Sequence, residues 1–193
     1  MHFYNLKRKF FQVETYGNKE YIRKAPKKIT LQRLRNIALY YLKRFETSTS
    51  NLRAVLHRRI DDYARYDKDF NRQEAYGWVE DLLQDFVQHK YVDDMRFAEI
   101  KIRGYLAAGK SPRYILGKLK EKGIDDILAT RLLGEQEYDP FESALKLAMK
   151  KKIGPYCPDP ILRKERRSKD LAVLVRAGFD YDIAVKVLET EVE

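Results

Sequence analysis

The sequence predicts an all-α protein, built as an elongated array of three tandem three-helix repeats behind a short basic arm. The segment GIDDILATRLL at residues 123–133 recurs as GFDYDIAVKVL at residues 178–188. Similarity of this kind indicates one supersecondary unit used more than once, and such units stack to share a core. The 193 residues include only 9 Gly and 6 Pro, which favours helices over a turn-rich β fold. Stacked helical units expose long faces that usually serve binding.

The composition indicates a globular protein of the reducing cytoplasm. Hydrophobic residues make up 44% of the chain, which is close to a globular average. The single cysteine, Cys157, excludes an internal disulfide. The longest apolar run, Ile37–Leu42, is too short to span a bilayer, and the first residues lack the apolar stretch of a signal peptide. We therefore expect a cytoplasmic protein without a membrane span, and we expect a monomer.

Residues 1–29 differ from the rest and form the basic arm. Phe10–Val13 and Tyr21–Arg23 flank Tyr16–Lys19, a pattern that predicts a short hairpin followed by a basic linker. The apolar period becomes helical from Thr30 onward. We place repeat 1 at residues 30–90, repeat 2 at residues 91–138 and repeat 3 at residues 139–193.

Repeat 1 is the most divergent of the three. Thr30 is a candidate N-cap for a helix whose apolar stripe runs from Leu31 to Phe45. Thr47–Ser50 caps a second helix, the charged segment Asp61–Phe70 predicts a loop, and a third helix carries the apolar positions from Val79 to Val87. No glycine follows the second helix, and a charged insertion runs from Asp61 to Gly77.

Repeats 2 and 3 carry clear start and stop signals. Helices are expected after Ser111-Pro112, Asp125 and Asp139-Pro140, where a capping side chain precedes the first turn. Gly123 and Gly178 are expected to end the second helices in a left-handed conformation. Ile153–Pro160 predicts a rigid loop, and residues 163–177 predict a basic helix.

Charge alternates between the predicted helices, within a formal net charge of +10. The second helix of each repeat is basic and the third is acidic. If the repeats stack in similar orientations, the basic helices line up and form a binding face for phosphate or for an acidic protein surface. The alternative is that each basic block is only a solvated helix face.

The chain carries no pattern typical of catalysis. It lacks a phosphate-binding glycine loop and a nucleophile elbow. One cysteine and three histidines at unrelated spacings do not support a zinc site. Three acidic pairs begin at Asp61, Asp93 and Asp125, and we interpret the last two as helix caps rather than metal ligands. We expect no enzyme activity, no cofactor and no metal.

Four segments together resemble the RecX family of bacterial proteins that modulate the recombinase RecA. They are ALYYLKRFETSTSNLRAVLHRR (Ala38–Arg59), YVDDMRFAEIKIR (Tyr91–Arg103), GKSPRYILGKLKEKGID (Gly109–Asp125) and LAVLVRAGFDYDIAVKVL (Leu171–Leu188). The IGPY loop after a run of lysines resembles the alphaproteobacterial branch of the family.

The resemblance implies a curved crescent of three repeats that binds the RecA filament and suppresses its ATPase, strand-exchange and coprotease activities. Contact with single- or double-stranded DNA through a basic face is also implied. A standalone nucleic-acid-binding module is the alternative. The candidate partner-binding residues are the basic positions of the motifs: Lys43, Arg44, Arg53, Arg58, Arg59, Arg113, Lys118, Lys120, Lys122 and Arg176. The apolar motif positions are expected in the core: Leu52, Leu56, Phe97, Leu119, Leu174 and Phe179.

Overall fold

The computed structural model describes the backbone of residues 11–16 and 19–191 and the side chains of residues 25–191. It confirms an all-α array of three-helix repeats preceded by a hairpin. The hairpin strands are β1 (Phe11–Tyr16) and β2 (Lys19–Lys24). The α-helices of the described part are α1 (Leu31–Leu42), α2 (Thr49–Tyr66), α3 (Arg72–Gln88), α4 (Asp94–Ala107), α5 (Pro112–Lys120), α6 (Asp126–Gly134), α7 (Pro140–Lys151), α8 (Pro160–Arg176) and α9 (Tyr181–Glu189).

The predicted N-terminal hairpin is present and longer than expected. β1 and β2 pair antiparallel, with Phe11 opposite Lys24 and Tyr16 opposite Lys19. Phe10, which we placed in the first strand, lies outside the described residues, as do the two turn residues 17 and 18.

Helix starts follow the capping signals of the sequence. Thr30, Asn71, Asp93, Ser111, Asp125, Asp139 and Asp159 each accept a hydrogen bond from a backbone N–H of the following first turn. Asp93 and Asp125 are therefore caps, as predicted. The Asp159-Pro160 start was missed, so α8 begins three residues before its predicted position.

The predicted glycine stops are also present. Gly123 and Gly178 have φ angles of 71° and 90°, a region that residues with a Cβ rarely adopt. In each case the residue after the glycine donates a backbone hydrogen bond to the last turn of the helix. Ile124 N donates to Leu119 O, and Phe179 N donates to Leu174 O.

The first of two compact units contains residues 1–45 and 52–92. Its core contains Leu34 of α1, Leu52 and Leu56 of α2, and Phe86 of α3, all fully buried. Phe45, which we assigned to the α1 stripe, is 53% exposed because α1 ends at Leu42. Val87 of the predicted α3 stripe is also exposed.

The prediction of a loop at Asp61–Phe70 is wrong for Asp61–Tyr66 and correct for residues 67–70. α2 continues to Tyr66 because Tyr63 extends the buried stripe of Ile60 by one turn. The Tyr63 hydroxyl donates to Asp67 Oδ2 at 3.0 Å, and its ring meets Phe70 edge-on at 4.9 Å. The charged residues between these aromatic positions hid the helical period.

The second unit contains residues 46–51 and 93–193 and has two hydrophobic clusters. Phe97, Ile115 and Leu119 belong to one cluster, and Leu174 and Phe179 belong to the other. The six motif positions that we expected in the core are all buried: Leu52, Leu56, Phe97, Leu119, Leu174 and Phe179. In the loop after α7, a 3-10 helix at Gly154–Tyr156 is held by Asp170, whose carboxylate accepts from Gly154 N at 3.2 Å.

Of the helices described, none combines the length and apolar character that a membrane crossing requires.

Candidate binding surface

The ten predicted basic residues occupy the second helices and the ends of helices. Lys43 and Arg44 follow α1, Lys122 follows α5, and Arg176 is the last residue of α8. The other six lie on helices: Arg53, Arg58 and Arg59 on α2, and Arg113, Lys118 and Lys120 on α5. Each is exposed except Arg53 and Lys118, which are half-buried.

Three of these residues form ion pairs inside the protein. Arg53 donates to both carboxylate oxygens of Glu80, at 2.7 and 2.9 Å. Lys118 binds the Glu121 carboxylate, and Lys120 binds Asp126 at 2.8 Å. The hydrogen bond from Arg53 lowers the pKa of Glu80, and those to Glu121 and Asp126 raise the pKa values of the two lysines. Ion pairs of this exposure are weak, so a phosphate can compete for these cations.

The other predicted cations form no ion pair with an acidic side chain within residues 25–191. Arg44 donates to the Tyr40 hydroxyl at 2.9 Å and lies over that ring. Lys122 Nζ donates to Asn51 Oδ1 at 3.3 Å, and Arg176 Nε donates to the Ala172 carbonyl at 3.0 Å. These contacts orient the side chains and leave their positive charges available to an anion.

Two serines position the first turns of α2 and α5 by the same pair of hydrogen bonds. Ser48 Oγ accepts from Asn51 N and donates to the carbonyl of Lys122 at 2.6 Å. Ser111 Oγ accepts from Tyr114 N and donates to the carbonyl of Ala177 at 2.6 Å. Each carbonyl directly precedes the positive-φ glycine that ends the helix. We call the Ser48 contact the first joint and the Ser111 contact the second joint; both lie within the second unit.

The second joint brings two predicted cations into one neighbourhood. Gly178 has no side chain, and an added Cβ there would lie 3.1 Å from Arg113 Cβ. Arg176 stands two residues before that glycine, so Arg113 of α5 and Arg176 of α8 flank the same joint.

The exposed first half of α8 contains basic residues that the sequence analysis did not select. Its buried residues are Asp170 and Leu174, both near the C-terminal end. The earlier turns carry mainly exposed cations: Arg163, Lys164, Arg166, Arg167 and Lys169. Among them only Arg167 has an acidic partner within the described residues, Glu189 of α9 at 2.6 Å. The basic block was visible in the sequence, but its exposure depends on where α8 leaves the core.

The described residues contain no cluster of His, Cys, Asp or Glu side chains that could hold a metal ion. His57 stacks on Tyr76 at 4.2 Å, and burial is the main cause of its lowered pKa. The Tyr76 hydroxyl donates to Asp61, which raises the pKa of Tyr76. These groups lie between α2 and α3 and make structural contacts within the first unit.

Comparisons with known proteins agree with this architecture. A family model for the second three-helix domain of RecX matches residues 93–133, which run from the cap of α4 into α6. The crystal structure of RecX from Lactobacillus salivarius superposes with a TM-score of 0.60, covering 82% of this chain and 94% of that one at 22% sequence identity. The superposition therefore shows that the two proteins share a fold.

Sequence similarity to curated proteins extends over most of the chain. The regulatory protein RecX of Myxococcus xanthus is 37% identical over 86% of this chain and 90% of its own length. The regulatory protein RecX of Agrobacterium fabrum is 30% identical over 82% of this chain and 83% of its own length. With its three-helix repeats and these similarities over more than four fifths of each sequence, the chain belongs to the RecX family of regulatory proteins.

Proposed function

We propose that this protein binds the filament of the recombinase RecA and inhibits its ATPase, strand-exchange and coprotease activities without catalysis of its own. The family membership carries this proposal. It is supported by Arg113 on α5 and by the cations of α8 other than Arg167, which have no acidic partner among the described residues. In this proposal the protein inhibits by binding alone: its basic surface contacts both the protein and the nucleic acid of the filament. We further propose that it acts as a monomer in the cytoplasm, and a dimer mass in sedimentation equilibrium would contradict the first of these two points.

The direct test follows ATP hydrolysis by RecA filaments formed in advance on single-stranded DNA. We expect the rate to fall as this protein is added and to level off at saturation. Bovine serum albumin at equal concentration controls for nonspecific effects. An unchanged rate at saturating concentration would rule the proposal out.

A second candidate function is nucleic-acid binding that is independent of the recombinase. The specific observation in its favour is the exposed basic half of α8, where the cations other than Arg167 have no acidic partner among the described residues. Binding to naked DNA would then weaken steeply as salt is added, since counterion release drives it. Tight, salt-sensitive binding together with an unchanged recombinase ATPase would favour this candidate.

A further inference from the structure

A cleft beside the second joint gathers five cations. It has a volume of about 610 Å³ and lies among the end of α4, the start of α5 and the ends of α7 and α8. Its charged side chains are Lys110, Lys146, Lys150, Lys151 and Arg176. Among residues 25–191 no acidic side chain lines it, and none of the five cations forms an ion pair with a described residue. Within that part of the chain, the cleft is therefore a strongly positive concavity without a counterion.

Helix ends do not account for this concentration of charge. Lysines near a helix C-terminus are favourable because that end carries a partial negative charge, equivalent to roughly half an electron. Three helix C-termini reach the cleft, so they offset about −1.5 charges, and the N-terminus of α5 acts in the opposite direction. Most of the positive charge of the five side chains remains uncompensated.

The first joint provides an internal control for what the repeat itself requires. Matching the two joints through their serines, helix caps and glycines gives the residue at each equivalent position. Where the second joint has its five cations, the first has Thr47, Ile100, Gly104, Tyr105 and Glu121, in the same order. None of these is basic. Packing of the repeats therefore does not demand the cations, which points to a ligand.

The other lining groups indicate what kind of anion fits. Tyr114 lines the cleft, with Lys110 Nζ 5.1 Å from its ring centroid, and Met149 adds an exposed apolar wall. A phosphodiester strand combines charged phosphates with flat, largely apolar bases, and bases stack on aromatic side chains. The volume lies within the ~300–1,000 Å³ typical of small-molecule pockets, which suits a few nucleotides of one strand and not a duplex.

We propose that this cleft binds the phosphodiester backbone of single-stranded nucleic acid. The lysines contact the phosphates as point charges, and Tyr114 lies against a base or sugar. This inference rests on the proposed function, because it assigns the nucleic-acid contact of a filament regulator to one place. It adds Lys110, Lys146, Lys150 and Lys151 to the binding surface.

The test compares two full-length variants with equal loss of charge. The cleft variant carries Lys146→Gln, Lys150→Gln and Lys151→Gln. The matched control carries Lys68→Gln, Lys90→Asn and Arg103→Gln, at exposed positions outside the cleft. Binding of a fluorescent oligothymidylate is titrated at several salt concentrations. Each phosphate contact contributes about 0.7 to the slope of log K against log salt for single strands.

We expect the cleft variant to bind more weakly and to lower the magnitude of that slope by about 2, with the control close to wild type. Equal affinity and slope in the two variants would overturn the assignment. Tighter binding of poly-glutamate than of the oligonucleotide to wild type would also overturn it, in favour of an acidic protein ligand. The recombinase ATPase assay is read separately: failure of wild type to inhibit refutes the proposed function, whatever the oligonucleotide titration gives.

Discussion

The first and second joints share the same serine-to-carbonyl hydrogen bond but differ in the residues around it. In both, a buried serine caps a helix and donates to the carbonyl before a positive-φ glycine. At the first joint, Thr49 N donates to Asp94 at 2.7 Å, and Arg96 pairs with Glu46 at 2.9 Å.

The second joint lacks both of these contacts for reasons visible in the sequence. Pro112 stands at the position of Thr49 and has no N–H, and Pro140 stands at the position of Asp94 and has no carboxylate. Gly109 stands where the first joint has Glu46. The serine and the glycine therefore hold the joint, while the neighbouring positions decide whether it is closed by polar contacts or left open as a cationic cleft.

Replacing the two glycines with alanine should have the largest effect on stability. At Gly123 the new Cβ would collide with Ser50 Cβ, and at Gly178 it would lie 2.6 Å from Ser111 Oγ. The left-handed backbone adds its own cost for a residue with a side chain. We expect each substitution to lower the free energy of unfolding by about 2–5 kcal/mol, measured by urea denaturation.

Gly117→Ala is the matched control for this prediction. Gly117 lies on α5 with nothing within 4 Å of an added Cβ, so alanine should raise stability by up to about 1 kcal/mol through its helix propensity. If Gly123→Ala or Gly178→Ala lowered the free energy of unfolding no more than this control, the predicted steric clash at that joint would be contradicted.

Ser48→Ala and Ser111→Ala test whether the joints are equivalent. Each removes a helix cap and leaves a carbonyl without its hydroxyl donor. We expect losses of about 1–3 kcal/mol, similar at the two sites, again from denaturant unfolding. If one substitution greatly lowered the free energy of unfolding and the other did not, the two joints would not be energetically equivalent despite their similar geometry.

Asp94→Ala should weaken only the first joint. It removes the acceptor of the Thr49 amide, so we expect a loss of about 1 kcal/mol. Pro140→Ala, at the equivalent position of the second joint, breaks no such hydrogen bond and should change stability by less. Thermal melts of both variants check this difference, and a larger loss for Pro140→Ala would contradict it.

The Arg96–Glu46 pair should have the smallest effect. Both side chains are substantially exposed, so a double-mutant cycle with alanine should give a coupling energy of about 0.2–1 kcal/mol that declines as salt is added. A coupling that does not respond to salt would show that contacts other than charge hold the pair.

Local sequence signals predicted most of the fold. Ser111-Pro112 and Asp139-Pro140 begin helices, and Gly123 and Gly178 end them, because caps and left-handed glycines act within a few residues. The extension of α2 to Tyr66 was missed because its buried face is aromatic and interrupted by charge. The start of α8 at Asp159-Pro160 was missed although it follows the same rule.

The binding surface was less predictable because it depends on long-range placement. The sequence identified basic helices, but the partners that neutralise Arg53 and Lys120 depend on side-chain geometry. The cleft draws Lys110 from a loop, Lys150 from α7 and Arg176 from α8, segments that only the packed second unit brings together. The assignment of partners to the ten basic residues remains a prediction.

Photo-cross-linking tests most directly whether the second joint, and not the first, holds nucleic acid. An oligonucleotide carrying 5-iodouracil is irradiated with the protein, and the cross-linked peptides are mapped by mass spectrometry. We expect the adduct on the peptide that contains Tyr114, with strong loss in the cleft variant. Adducts on the equivalent region around Asn51, or elsewhere, with none at Tyr114 would contradict the assignment.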